Sequence, residues 1–454
     1  MVAIALVTAF GGLLLAVQQG MPIFFPLLGA VSLLTLVYRA QGVPWLTLGR
    51  HLQTGVRQSA GVLSILLLIG GVVASWLVAG TVPALVYYGL QLIQPQWFLV
   101  SAFGLTALVS TLLGTSFGSA GTIGLALMIM ARGAGGHEQW TAGAVIAGAY
   151  VGDRCSPMSS SAHLVAAITA TDVYQNLRTM GRTSWGALGL SLAIYALASR
   201  YHPLTGVDHP LLMTIPQTFA VSPLALLPAA LLVVLTLARV PVRRTLWVSL
   251  AGAIAIALTQ QKASPATVLH TLLWGLQLPP DNALGDIFRG GGLWAMGQVC
   301  AVVLVSTALA GLLAGLGTFD PVGQWLARWR GARGVFGVTI AASLLTSAFG
   351  CTQTIAILLT QQIVQPRYGA ARLGPEQLAV DLENSAVVIA PLIPWNIAGL
   401  VPATVILADA SFVPYAVYLY LLPLWNWLWR SQLLLTGGSA SAEGEATVTT
   451  RDNA

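Results

Sequence analysis

Two acidic residues stand in apolar surroundings where a charge is costly. Asp153 lies between the apolar runs 141–151 and 162–171, and Glu383 opens a stretch that is interrupted by prolines. An ionisable side chain at membrane depth costs about 3 kcal/mol or more, so its presence there indicates a function. Both carboxylates are candidate ligands for a metal cation such as Na⁺, or candidate carriers of a proton. The alternative for Asp153 is an ion pair with the adjacent Arg154 at a membrane surface.

A run of hydroxyl groups follows Asp153. Ser156, Ser159 and Ser160 surround Pro157, which removes a donor from the helical hydrogen-bond ladder and breaks the helix. The freed carbonyl groups and the hydroxyls make an oxygen-rich pocket, and hard cations prefer oxygen ligands. We therefore predict that these serines bind an ion or a substrate. The alternative is a helix end that is capped by serine.

His163 and Asp172 belong to the same polar stretch. Histidine titrates near neutral pH, so His163 is a candidate proton carrier or substrate ligand. A lone histidine in a polar loop frequently does neither. Asp172 is a further candidate ligand, although it lies nearer the basic residues Arg178 and Arg182.

The second half of the chain has a comparable polar stretch around Glu383. Asn384 follows Glu383, and Pro391 and Pro394 forbid a regular helix in the next turns. Asn396 offers both a hydrogen-bond donor and an acceptor. We therefore predict that Glu383, Asn384 and Asn396 contribute to the same site. The neighbouring tryptophan at position 395 is interpreted as an anchor at the membrane interface rather than a ligand.

A segment rich in glycine and hydroxyl groups precedes each polar stretch. In the first half its candidate ligands are Thr115, Ser116 and Thr122, and in the second half they are Thr352 and Gln353. Small residues at this spacing let helices pack closely, which explains the glycines. The density of Ser and Thr favours an unwound helix that lines a cavity.

The elements that hold these residues follow from composition. The 454-residue chain is 56% hydrophobic and 7% charged, whereas soluble domains carry about 25% charged residues. Lipid is therefore the expected solvent, and backbone groups in lipid must be paired within helices. Six long stretches contain no charged residue: 58–131, 210–238, 245–261, 290–319, 334–366 and 410–429. With about 20 residues for each crossing, we predict an all-α polytopic membrane protein with about 10–13 membrane segments.

Charge and motifs exclude several function classes. The net charge of +6 is explained by arginines in short loops, which mark cytoplasmic loops and do not indicate a nucleic-acid partner. Three cysteines are too few for a disulfide framework. The sequence contains no phosphate-binding loop and no H-E-x-x-H zinc motif, so we do not expect an enzyme.

An internal repeat organises the chain. Residues 109–127 align without gaps on 341–359, where Phe117–Gly118 matches Phe349–Gly350. Paired, interrupted apolar segments in two halves are typical of transporter binding sites. The predicted regions are N-terminal helices with a basic loop, a first repeat, connecting helices with a loop, a second repeat, and a disordered tail. Their boundaries are 1–58, 59–200, 201–290, 291–433 and 434–454.

The chain resembles the NhaC family of Na⁺/H⁺ antiporters. The resemblance rests on GTSFGSAGTIG at 114–124, GDRCSPMSSSAHL at 152–164 and LENSAVVIAPLIPWN at 382–396. It implies two inverted repeats, each with a re-entrant hairpin and a broken helix, and a homodimer in the bilayer. It also implies exchange of Na⁺ and H⁺, or of a small organic solute coupled to them, with no other cofactor.

Three positions depart from the pattern that the resemblance implies. Ser160 replaces an expected Asp, His163 an expected Asn, and Asn384 an expected Asp. Fewer carboxylates weaken the attraction for a bare cation. Our first hypothesis is a cation- and proton-coupled antiporter of the bacterial inner membrane. The second is a carrier of an amino acid or carboxylate on the same scaffold, and the third is a channel or intramembrane enzyme.

Overall fold

A computed structural model describes residues 2–204, 210–238, 240–279, 282, 284, 285, 287–317 and 332–429. Within these ranges the chain is almost entirely helical, and a single antiparallel bridge joins Leu276 to Gly290. The predicted all-α polytopic class is confirmed. The helices of the first part are α1 Val2–Gln18, α2 Phe24–Ala40, α3 Trp45–Val78, α4 Thr81–Leu92, α5 Phe98–Leu113, α6 Ser116–Ser119, α7 Leu125–Gly133, α8 Glu138–Cys155, α9 Ser160–Thr169 and α10 Val173–Tyr201.

The remaining helices carry the connecting region and the second half. They are α11 Pro210–Thr218, α12 Leu227–Leu237, α13 Val242–Thr259, α14 Pro265–Trp274, α15 Leu293–Gly315, α16 Ala332–Gly350, α17 Gln353–Ala370, α18 Pro375–Glu383, α19 Ala386–Ile389, α20 Ile397–Val405 and α21 Val417–Leu428. A π-helical turn joins α6 to α7, and short 3₁₀ turns flank α5, α12, α19 and α21.

Four straight helices in the described ranges are long and apolar enough to cross a membrane, and two bent pairs raise that number to six. The bends are 88° before α12 and 57° before α20. Shorter apolar helices such as α1, α2 and α9 accompany them. Our sequence count of about 10–13 segments assigns one crossing to about every 20 apolar residues, whereas helix breaks divide several of the apolar stretches. The count of crossings stays a prediction.

The prediction of a basic loop before Arg57 is wrong. After extended Pro44, α3 begins at Trp45 and includes Arg50 and Arg57. Leu48 is fully buried on this helix, so an apolar face stabilises a helix that also carries arginines. The first 40 residues do form two helices with a short turn between them, as predicted.

The connecting region contains a bent span. The sequence predicts connecting helices with a loop over 201–290. Helix α10 runs to Tyr201, and the next span is bent by 88° between α11 and the segment from Pro223. The later part of this region contains α14, which Ser264 caps by accepting from Thr267 N. The predicted tail 434–454 lies outside the described residues.

The two halves share a helix–break–helix order. Gly114 after α5 and Cys351 after α16 both adopt left-handed backbone angles, with φ of 67° and 53°. The next residue caps the following helix in each case: Thr115 accepts from Gly118 N and Thr352 accepts from Ile355 N. The alignment of Phe117–Gly118 on Phe349–Gly350 would pair Thr115 with position 347. Because the structure pairs the capping residues Thr115 and Thr352, this alignment is wrong at the break.

Close backbone packing fixes the helix that carries Asp153. A Cβ atom on Gly152 would lie 2.0 Å from the carbonyl carbon of Ser110, and one on Gly148 would lie 2.6 Å from the carbonyl oxygen of Phe103. These glycines let α8 and α5 touch along their backbones. The end of α8 is therefore held against the first break.

Candidate functional site

Asp153 lies in the last turn of α8 and is buried, with 5% of its surface exposed. Its Oδ1 accepts from the backbone N–H of Ser116 at 3.4 Å. Its Oδ2 accepts from Gln353 Nε2 at 3.0 Å and from the Ser161 hydroxyl at 3.4 Å. The carboxylate is thus reached by the break after α5, by the start of α9 and by the start of α17. This point joins the two halves.

The serines after Asp153 form the helix caps that the sequence offered as the alternative, and their binding of an ion or a substrate stays a prediction. Ser159 caps α9 by accepting from Ser161 N and Ala162 N, and its hydroxyl donates to the Asp153 carbonyl. The Ser161 hydroxyl donates to the same carbonyl at 2.7 Å. Ser156 accepts from Met158 N at 3.1 Å. The serine caps therefore concentrate hydroxyl and carbonyl oxygens around one buried carboxylate.

Asp153 and Arg154 do not form the ion pair that the sequence left open. Arg154 is fully buried, and its guanidinium donates to Ser184 Oγ at 2.6 Å and to Tyr418 OH at 3.2 Å. It also donates to the side-chain oxygen of Asn384. Side chains of adjacent residues on a helix point about 100° apart, so the two charged groups contact different sets of residues.

Glu383 is also buried, with 1% of its surface exposed. Neither of its carboxyl oxygens has a hydrogen-bond partner among the described residues. The next residue, Asn384, accepts from Arg154, which directly follows Asp153. The structure therefore connects the segments that carry the two predicted carboxylates, and the binding of a cation or a proton by either one stays a prediction.

Several predicted ligands occupy structural positions at the helix breaks. Thr115 and Thr352 are the caps already described, and the Thr122 hydroxyl donates to Gly118 O at 2.8 Å within its own helix. Asn396 caps α20 by accepting from Ala398 N at 3.0 Å, and it donates to Ser347 O at 2.7 Å. These residues shape the breaks, and their binding of an ion stays a prediction.

Three other candidates lie apart from the buried carboxylates. Ser160, His163 and Asp172 are exposed, and none of them hydrogen-bonds to Asp153 or Glu383 in the described structure. His163 Nδ1 contacts Ser159 O at 2.7 Å. Asp172 caps α10 by accepting from Gln175 N at 2.8 Å. A ligand role for these residues stays a prediction.

The interpretation of Trp395 as an interface anchor is wrong. Its side chain is 3% exposed and its indole N–H donates to Ala348 O at 2.7 Å. Its ring lies 6.0 Å from that of Phe10 in α1, and Phe10 lies 4.1 Å from Phe349. Through Trp395, the segment between α19 and α20 therefore packs against α1.

Sequence reasoning missed the hydroxyl groups that support the site from a distance. Tyr150 donates to Ala398 O at 2.7 Å and so ties α8 to α20. Ser184 and Tyr418 hold Arg154 from α10 and α21. A tyrosine one turn before Asp153 was the only local signal, because the other partners are far away in sequence.

A polar cavity of about 620 Å³ opens at one end of α8. Arg132, His137, Glu138 and Asp409 contribute to its lining. Arg132 forms an ion pair with Glu138 at 2.9 Å. The described residues contain no cluster of three or more His, Cys, Asp or Glu side chains, so this cavity offers no ligand set for a transition metal.

The cavity contains a histidine pair that predicts a pH-dependent stability. His137 caps α8 by accepting from Trp140 N, and its ring centre lies 4.8 Å from that of His202. Partial burial and then the neighbouring His202 charge lower the pKa of His137 below 6.5. The unfolded chain binds this proton more readily than the folded chain. Above pH 6.5 His137 therefore does not lower the free energy of unfolding, and below pH 6.5 the free energy of unfolding falls as the pH drops. Melting temperatures between pH 7.5 and about pH 5 measure the fall.

The matched variant is His137→Asn, since asparagine is a good cap and does not titrate. We expect a smaller loss of melting temperature on acidification in this variant than in the wild type. Equal losses would show that His137 does not contribute.

A profile of the Na⁺/H⁺ antiporter family matches this chain over residues 1–180 and 148–425. The chain belongs to this family. Membership confirms the resemblance and identifies a multi-pass membrane protein of an antiporter family.

Individual members of the family differ in what they exchange. The Na⁺/H⁺ antiporter NhaC of Alkalihalophilus pseudofirmus is 29% identical over 404 residues, 88% of this chain and 87% of that protein. NhaC of Bacillus subtilis is 28% identical over 422 residues, 90% of this chain and 92% of that protein. The malate-2H⁺/Na⁺-lactate antiporter of Bacillus subtilis is 27% identical over 369 residues, 80% of this chain and 79% of that protein. Both predicted substrate classes therefore occur among the relatives.

Proposed function

We propose that this protein exchanges Na⁺ for H⁺ across the bacterial inner membrane, with Asp153 as the central ligand. The supporting observation is the buried Asp153 carboxylate, whose partners come from both halves and carry no charge. A buried carboxylate without a cationic partner needs a proton or a metal cation to offset its charge. Competition between those two for one carboxylate is sufficient for antiport.

The surrounding groups suit a hard cation. The Asp153 carboxylate and the Ser161 hydroxyl provide oxygen ligands, and the Gln353 amide offers its oxygen after a rotation about its last side-chain bond. Glu383 is the second group that we assign to the cation or proton. Exposure of this site to each side in turn would follow from movement of one half against the other. The homodimer implied by the family resemblance is part of this proposal.

A second candidate is exchange of a small organic acid. It is supported by Arg154, a buried guanidinium that pairs with no carboxylate among the described residues. Arginine is well suited to hold a carboxylate through two parallel hydrogen bonds. The malate and lactate of one relative are substrates of this class.

The deciding experiment uses purified full-length protein in proteoliposomes that contain a pH-sensitive dye. We expect Na⁺ added outside to drive H⁺ movement that saturates with Na⁺ concentration, and K⁺ to have no effect. Empty liposomes are the control. Movement that requires malate or lactate and is indifferent to Na⁺ would establish the second candidate and reject the first.

A further inference from the structure

Two buried groups of opposite charge each have side-chain atoms without a hydrogen-bond partner among the described residues. Both oxygens of Glu383 and the Nε of Arg154 are buried without a hydrogen-bond partner among the described residues. Buried polar groups in folded proteins are nearly always paired, so each exception needs an explanation. Arg154 hydrogen-bonds to Asn384, the residue next to Glu383, which suggests one explanation for both unpaired groups.

A single residue connects the two groups. Asn384 directly follows Glu383 and accepts from the Arg154 guanidinium, while its own amide donates to Thr183 Oγ1 at 3.3 Å. The other partners of Arg154 are Ser184, Tyr418, Cys155 and the carbonyl of Met180. All of them are neutral, so a permanent positive charge is held by hydrogen bonds alone.

We propose that Arg154 is an internal cation that leaves Asn384 and pairs with Glu383 when the transported cation departs. This inference rests on the proposed function, in which Glu383 shares the cation. The guanidinium remains charged at every physiological pH. It can therefore compensate Glu383 in the cation-free state, and it must withdraw before a cation returns. Arg154 is thus a positioning residue that favours release of the cation.

The test compares Arg154→Gln with Arg154→Lys in purified full-length protein. Na⁺ affinity is measured from the rise of melting temperature with Na⁺ concentration, and exchange is measured in proteoliposomes. We expect Arg154→Gln to bind Na⁺ at least tenfold more tightly and to exchange at least tenfold more slowly, because the competitor is gone. Arg154→Lys keeps the charge and should stay within about threefold of the wild type.

Two further variants address folding and specificity. Asn384→Asp would give Arg154 a fixed partner where it now lies, so we expect the same tighter binding and slower exchange without loss of the buried arginine. Adding Glu383→Gln to Arg154→Gln should remove the gain in affinity, because the two residues then no longer couple. Arg200→Gln, which changes an exposed arginine stacked on Trp97, is the matched control.

The outcomes separate this inference from the proposed function. A wild type that neither binds nor exchanges Na⁺ would reject the proposed function itself. A wild type that exchanges Na⁺ while Arg154→Gln and Asn384→Asp retain its Na⁺ affinity would overturn only the role of Arg154. Loss of malate binding in Arg154→Gln with unchanged Na⁺ affinity would also overturn it, and would assign Arg154 to a substrate carboxylate.

Discussion

Replacing Asp153 by Asn is expected to abolish cation-coupled exchange while the protein still folds. Asparagine has the same shape, and its amide oxygen can still accept from Ser116 N or from Gln353 Nε2. The lost unit charge is worth a few kcal/mol at protein-like dielectric, so we expect a loss of roughly 100-fold or more in the exchange rate. The initial rate of Na⁺-driven H⁺ movement in proteoliposomes measures it.

The control for this variant is Glu376→Gln, which neutralises an exposed carboxylate in the first turn of α18. It should exchange at the wild-type rate. Equal melting temperatures for wild type and Asp153→Asn in Na⁺-free detergent would show that the fold survives. If Asp153→Asn retained the wild-type rate and pH dependence, the site would have to lie elsewhere.

Gly152→Ala is expected to cause a large loss of stability for a single added methyl group. Its Cβ would lie 2.0 Å and 2.1 Å from the backbone atoms Ser110 C and Thr111 N, which cannot rotate away. Helices α5 and α8 must then separate, at a cost of roughly 1–3 kcal/mol or more. Because Asp153 is the next residue, we also expect its contact with the Ser116 amide to be lost. Thermal unfolding in detergent measures the first effect.

Gly189→Ala in α10 is the matched control for this variant. No atom lies within 4 Å of the position that its Cβ would take. Alanine favours the helix over glycine by about 0.5–1 kcal/mol, so this variant should melt at the same temperature as the wild type or higher. Similar melting temperatures for both variants would contradict the close packing of α5 and α8.

The sequence predicted the parts of this structure that depend on local chemistry. Uncharged stretches longer than a membrane crossing require helices, and the proline at position 157 requires the break between α8 and α9. Asp153 and Glu383 were recognisable because a carboxylate is costly among apolar residues, and both are indeed buried. The break after α16 could not be predicted in the same way as the break at Pro157. It is formed by Cys351, which adopts a left-handed backbone conformation that glycine usually provides.

The remaining features depend on contacts between distant parts of the chain. Arg154 could be read as the surface partner of Asp153 only while its burial against Ser184 and Tyr418 was unknown. Tryptophan is typical of an interface anchor, yet Trp395 is buried and packs against Phe10 of α1. Such outcomes follow from tertiary packing, for which a single sequence carries no periodic signal. They are also the features that decide which carboxylate remains available to a ligand.

The bond between Gln353 and Asp153 has a consequence for how the chain is made. The two residues are 200 positions apart, and a ribosome adds about 5–20 residues each second, so roughly 10–40 s pass between their syntheses. During that interval α8 must reside in or beside the bilayer with its carboxylate lacking the amide donor. Water, a proton or the insertion machinery has to accommodate that group until the second half arrives. Completion of the candidate site around Asp153 is therefore a late event in biogenesis.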